Sequence, residues 1–286
     1  MVGQRADRFA LLAFVAGALP AILLAGCVST GVDRDRNAAA IARDGGLDPA
    51  TLSGAHFDLQ LYRRDDAEPG PLYVYIEGDG AAYLDPRTPS SDPTPIDPLA
   101  LRLAAADTGP AVLYIARPCQ FVPGRADRRC ATRDWTTRRY SHDVVDAVND
   151  AVERAHASEP QRPLVLVGYS GGGVIAALVA TQRRDIALLI TIAAPLDIAD
   201  WTRRMILSPL EGSESPLDAA AALARVPQIA FAGEQDAIVP VAAIRRAVEK
   251  LGSQAAVRLI VVPGFDHTCC WVRDWPALRD KAWPPA

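Results

Sequence analysis

Apolar residues in this chain fall into short unbroken runs, and most runs are followed by an amphipathic segment. LYVYI (72–76), AVLYIA (111–116), PLVLVG (163–168), ALLITIAAP (187–195), PQIAFAG (227–233) and AVRLIVVPG (256–264) each read as a largely apolar strand. Between them, SHDVVDAVNDAVERA (141–155), GGVIAALVAT (172–181) and VPVAAIRRAVEKL (239–251) have helical length and spacing. In the first of these helices Ser141 is placed as cap, and Val144, Val145, Val148, Ala151 and Val152 share one face. Strands that are apolar throughout and alternate with helices imply an α/β fold, with a mostly parallel sheet covered by helices on both faces. HFDLQLYRR (56–64) alternates and predicts a half-exposed strand earlier in the chain. Asp97-Pro98 opens a predicted helix running to Asp107, with Asp97 as cap and Pro98 in its first turn. WVRDWPALRDKAW (271–283) predicts a last helix, with Pro276 near its start or at a kink. Residues 197–226 interrupt the rhythm as a small helical insertion.

Residues 28–54 are polar and alanine-rich, which suits a tether. Ahead of them, Arg5 and Arg8 precede an apolar stretch from Phe9 to Leu24, followed by Ala25, Gly26 and Cys27. A basic start, an apolar core and small residues make an export signal over residues 1–26. Leu24-Ala25-Gly26-Cys27 resembles the lipobox of bacterial lipoproteins. That resemblance implies cleavage before Cys27, lipidation of its sulfur and N-acylation of its amine, and hence a membrane partner through the lipid anchor. Val28 stands where Asp would hold such a protein at the inner membrane. The expected location is the cell envelope, on the outer membrane and facing the periplasm.

Export changes how the cysteines read. Cys119, Cys130, Cys269 and Cys270 are an even set in an oxidising compartment, so disulfides are expected. Pairing Cys119 with Cys130 leaves Cys269 and Cys270 as adjacent partners, and crossed pairing is the alternative. No finger-like pair of CxxC motifs supports a metal site, and no cofactor motif is present. The formal net charge of −4 gives no electrostatic reason to expect nucleic acid.

The chemistry centres on LVLVGYSGGGVIAALVA (164–180), where four glycines surround Ser170 between two apolar segments. GYSGG fits GxSxG, a tight strand-to-helix turn presenting a serine at the carboxyl end of a sheet strand. Gly168 and Gly172 avoid collisions across the turn, and the Gly171 N–H points toward a developing oxyanion at a helix N-terminus. A phosphate loop would need a Lys-Ser or Lys-Thr pair, which this turn lacks. A serine hydroxyl needs a base, and of the four histidines only His267 follows a predicted strand. The acid is assigned to Asp236, in GEQDAIVP, with Glu234, Asp197, Asp200 and Asp266 as rivals.

With GYSGG, GEQDAIVP and PGFDH in the order serine, acid, histidine, the chain resembles the α/β-hydrolase superfamily over roughly residues 55–275. ARPCQFV and SGGGVIAAL also make it similar to exported bacterial hydrolase lipoproteins. The resemblance implies an α/β-hydrolase domain over 55–286, with Ser170 as nucleophile, Asp236 as acid, His267 as base and a small acyl substrate. Many members carry His-Gly after the third strand, where this chain has Glu77-Gly78-Asp79-Gly80. The backbone N–H of Asp79 or Gly80 can still serve as second oxyanion donor, but two carboxylates repel an oxyanion unless they turn away. Three functions follow: a membrane-tethered serine hydrolase acting on an ester, thioester or similar acyl bond, a non-catalytic lipoprotein that binds through the same fold, or a peptidase or amidase that shares the triad and differs in substrate. Trp201, Met205, Ile206, Leu207 and Leu210, with Tyr83 and Trp135, offer either an acyl pocket or ordinary core.

Overall fold

The computed structural model describes residues 31–66, 68–121, 129–253 and 255–282. Cys27 and the segment 1–26 lie outside the described residues. The apolar runs become the middle of an eight-stranded sheet. Strands β3 (Leu72–Ile76), β6 (Ala111–Ile115), β7 (Leu164–Tyr169) and β9 (Gln228–Gly233) are buried at every position, and β8 (Ile186–Ile192) at nearly every one. With β1 (Asp48–Ser53), β2 (Asp58–Asp65) and β10 (Val257–Val262), the order is β1-β2-β6-β3-β7-β8-β9-β10. From β6 to β10 neighbouring strands are parallel, whereas β1 and β2 add antiparallel to one edge. A separate two-stranded hairpin, β4 (Tyr83–Asp85) and β5 (Thr88–Pro89), lies in the loop that the sequence presents as irregular.

Alternate residues of each strand face opposite ways, so the sheet builds two cores. Leu72, Val74 and Ile76 join the core made with α3 (His142–Ala157) and α4 (Gly171–Gln182). Tyr73 and Tyr75 join the core made with α1 (Gly31–Asp44), α2 (Leu99–Ala106) and α8 (Trp271–Ala282). All five apolar residues expected on the α3 face are buried. The insertion contains α5 (Ile198–Arg204), a 3-10 turn and α6 (Ala220–Leu223), followed after β9 by α7 (Val241–Leu251). No helix among the described residues is long and apolar enough to cross a membrane.

Four local expectations change. The stretch 31–53, expected as part of a tether, forms α1 and β1 and packs on the domain. Ala38, Ala42 and Leu47 are buried beside α2, and Arg34 donates to the Thr94 carbonyl at 2.8 Å. Alanines at i and i+4 make a stripe narrow enough for close helix contact, a spacing that the alanine-rich composition conceals. The expected Asp97 cap is absent: Asp97 pairs with Arg102, and the Glu77 carboxylate accepts from the Ala100 and Leu101 N–H groups at the start of α2. Ser141 is the N-cap residue of α3 but its hydroxyl makes no capping bond. Pro276 sits within α8, as its sixth residue.

Candidate active site

The strand ends of β7, β9 and β10 bring three distant side chains together. Ser170 occupies the turn between β7 and α4 at φ 51° and ψ −121°, a strained conformation for a residue with a Cβ. The turn closes tightly: a Cβ on Gly168 would sit 2.4 Å from the Gly172 carbonyl oxygen, and one on Gly172 would sit 2.2 Å from that of Ile76. His267, on the loop after β10, places Nε2 3.1 Å from Ser170 Oγ. Its Nδ1 lies 2.8 Å from Oδ2 of Asp236, on the loop after β9. The other oxygen of Asp236 accepts from the Ile238 and Val239 N–H groups, both at 2.8 Å. Those two bonds aim the carboxylate, whose side chain is fully buried, while the imidazole keeps a partly open edge. Tyr169 Oη and Trp271 Nε1 each donate to the His267 carbonyl at 3.1 Å and hold the loop from behind.

The rival acids are engaged elsewhere. Glu234 accepts from the Gly264 N–H, Asp266 from the N–H groups of Thr268 and Cys269, and Asp197 pairs with Lys250. Asp200 is buried among Arg203, Arg204 and Arg246, whose bonds outweigh desolvation and lower its carboxyl to about 2. The other histidines sit by surface acids: His56 near Asp143, His142 near Asp146 and Glu214, His156 near Asp185. Cys119 is bonded to Cys130, and Cys269 to Cys270 across a cis peptide bond, so the crossed pairing does not occur. Of the apolar candidates for an acyl pocket, Trp201 is core beside Ala230, Val239 and Ile244, with Met205 packed against it. Trp135 and Leu210 pack on the main core, whereas Tyr83, Ile206 and Leu207 are exposed.

The Glu77–Gly80 loop follows β3 and faces the turn at Ser170. Among the described residues, the N–H groups of Asp79, Gly80 and Gly171 make no hydrogen bond, so they remain available as donors. The carboxylates have turned in different directions. Glu77 points into the interior, where it accepts from the Gly78 N–H at 2.9 Å and the Tyr114 hydroxyl at 3.1 Å. Burial raises its carboxyl to about 7 against the lowering effect of those bonds. Asp79 instead meets Arg139 Nη1 at 2.7 Å, Arg117 Nη1 at 3.1 Å and the Tyr140 hydroxyl at 3.2 Å. Burial alone would raise its pKa, but the two guanidinium groups outweigh that and hold it below the ordinary carboxylate value. Sequence reasoning missed Arg117, Arg139 and Tyr140. Arg117 stands in ARPCQFV and the other two in RRYSH, but neither text carries a local pattern that points to Asp79.

A serine raised on a strand-to-helix turn, a histidine against it and a buried carboxylate behind the histidine define the α/β-hydrolase fold together with its nucleophile turn. Comparison with known proteins agrees on the fold. A profile of the serine aminopeptidase family S33 matches residues 124–213, the part of the chain that holds Ser170 but neither Asp236 nor His267. An α/β serine hydrolase homologue from Coxiella burnetii aligns at 17% identity and TM-score 0.55, covering 82% of this chain and 94% of that one. A lidless α/β serine hydrolase from Xanthomonas campestris aligns at 17% identity and TM-score 0.56, covering 84% and 96%. An acylaminoacyl peptidase from Pyrococcus horikoshii aligns at 14% identity and TM-score 0.54, covering 77% of this chain and 37% of its own. Comparison with curated proteins gives no match.

Proposed function

We propose that this protein is a serine hydrolase that cleaves a carboxylic ester or similar acyl bond by way of an acyl-enzyme. The observation that carries this is the continuous hydrogen-bond line from Ser170 Oγ through the His267 ring to Asp236, at 3.1 and 2.8 Å. In the reaction Ser170 Oγ attacks the acyl carbon while His267 Nε2 takes the hydroxyl proton. Asp236 holds the ring with its proton on Nδ1 and stabilises the imidazolium. Charge on the carbonyl oxygen is met by the N–H of Gly171 and by that of Asp79 or Gly80. His267 returns the proton to the leaving group, and the same ring then activates water to release the acid.

The serine aminopeptidase profile and the structural likeness to an acylaminoacyl peptidase favour a second reading, an amide or peptide substrate. The same triad serves both. The non-catalytic alternative drew on repulsion by the Glu77–Asp79 loop, and the turned or neutralised carboxylates weaken it. The lipobox ending at Cys27 supports attachment to the cell envelope. A bridged Cys119–Cys130 pair fits an oxidising compartment.

The test combines a fluorophosphonate probe with a panel of nitrophenyl esters of increasing acyl length, run beside aminoacyl and peptide anilides. Labelling at Ser170 in the wild type, and loss of label and of turnover by at least about ten-thousandfold in Ser170→Ala, is expected. Turnover that survives the substitution refutes the proposal.

A further inference from the structure

The Asp79 carboxylate lies directly against the turn that carries the nucleophile. A Cβ built on Gly171 would come 2.1 Å from Asp79 Oδ1 and 2.9 Å from the Tyr140 hydroxyl. A carboxylate is therefore packed beside the very amide that would donate to an oxyanion. Left alone it would oppose the reaction, because two like charges about 6 Å apart at an effective dielectric of about 20 change a rate roughly a hundredfold.

It is not left alone. Each of its oxygens meets one guanidinium, Arg117 at Oδ1 and Arg139 at Oδ2. Both arginines are buried, and among the described residues neither is paired with a second carboxylate. Their remaining bonds go to main-chain carbonyls: Arg117 Nη2 to Arg139, and Arg139 Nε to Thr136 at 2.7 Å. Aromatic faces complete the packing, with Arg117 5.4 Å from the Tyr140 ring centroid and Arg139 5.7 Å from that of Tyr83. Two cations around one anion leave one positive charge in excess. The Nε of Arg117 is fully buried and unpartnered, so that side chain is not placed to grasp a substrate. What the cluster offers is its field.

We infer, on the basis of the serine hydrolase reading, that Arg117 and Arg139 are positioning residues of the oxyanion site: they clamp Asp79 and give the pocket a net positive charge that favours the developing oxyanion. Tyr140 supports the clamp by donating to the same carboxylate, and Gly171 permits it by leaving room.

The experiment exploits charge arithmetic. The Asp79–Arg117–Arg139 cluster carries one excess positive charge in wild type, none in Arg139→Gln, and one again, through Arg117, in the double variant Asp79→Asn with Arg139→Gln, while Glu77 is the same in all three. Ester hydrolysis and the rate constant for fluorophosphonate labelling are measured for all three, with thermal unfolding to show that each is folded. Arg139→Gln should lower kcat and the labelling rate about thirty- to a hundredfold, with KM changed less than about threefold. The double variant should return to within about tenfold of wild type. A merely structural ion pair predicts the reverse: the double variant would be as slow as the single one or slower, which overturns the inference. If Arg139→Gln does not fold, Arg117→Gln enters the same scheme with the same expected outcomes. Wild-type protein that never labels at Ser170 removes the hydrolase reading and this inference together, whereas labelling without rescue removes this inference alone.

Discussion

Replacing Glu77 by glutamine should change how stability depends on pH, and the structure sets the size of the effect. Glu77 is only 2% exposed. Its carboxyl is raised from 4.5 to about 7, mainly by burial, with the bonds from Gly78, Ala100, Tyr114 and Leu101 lowering it in part. The folded protein thus holds this proton more tightly than the unfolded chain does. Its contribution to stability is complete below pH 4.5 and is lost as pH rises from 4.5 through 7. The gap between the two values corresponds to about 3 kcal/mol. Glutamine keeps the shape and an acceptor for the α2 amides but cannot titrate. Urea unfolding of wild type and Glu77→Gln at intervals from pH 4 to 8.5 isolates the group, because all other titrations cancel in the difference. The stability of wild type relative to the variant should fall by about 3 kcal/mol across that range and then level off. Curves that stay parallel would refute the assignment of a carboxyl that is protonated in weak acid and charged above neutrality.

Asp236→Asn should leave KM nearly unchanged and lower kcat about ten-thousandfold, because the amide N–H₂ would face His267 Nδ1 and force the proton onto Nε2, where the serine needs an acceptor. Steady-state ester hydrolysis checks this, and a loss below tenfold would show that another group orients the ring. Asp107 is fully buried and joins Arg279, Tyr75 and the Gly109 N–H. Arg279 keeps Asp280 and Thr108 in Asp107→Ala, but the buried Tyr75 hydroxyl and the Gly109 N–H lose their acceptor, which should cost about 1–3 kcal/mol in urea unfolding; a loss under about 0.5 kcal/mol would show that the carboxylate is dispensable.

Much of the molecule was legible from local pattern alone. A five- or six-residue apolar run bounded by turn residues and alternating with amphipathic segments reads as a buried strand, and β3, β6, β7 and β9 follow from it. The serine turn was equally plain, because GxSxG is a local pattern and Gly168 is demanded by Gly172 and Gly173 a few residues on, although Gly171, Gly172 and Gly173 are crowded by the distant Asp79, Ile76 and Ala194. The stretch 31–53 folds although its composition resembles a linker, because what decides its state is whether α2 offers a surface for Ala38 and Ala42. The same limit explains Glu77. Nothing around it in the sequence shows that the helix start at Ala100 and the hydroxyl of Tyr114 will meet its carboxylate.

The sequence by itself determined where the buried strands fall along the chain, the serine turn between β7 and α4, and the single histidine after the last strand, since each depends on local pattern and on which stretches must leave water. Only the tertiary structure decided which acid reaches His267, which cysteines pair, and that Asp79 is clamped by two arginines rather than bare. Those outcomes join residues 31, 11, 60 and 38 positions apart, and contact between such residues is set by how the sheet stacks its strand ends.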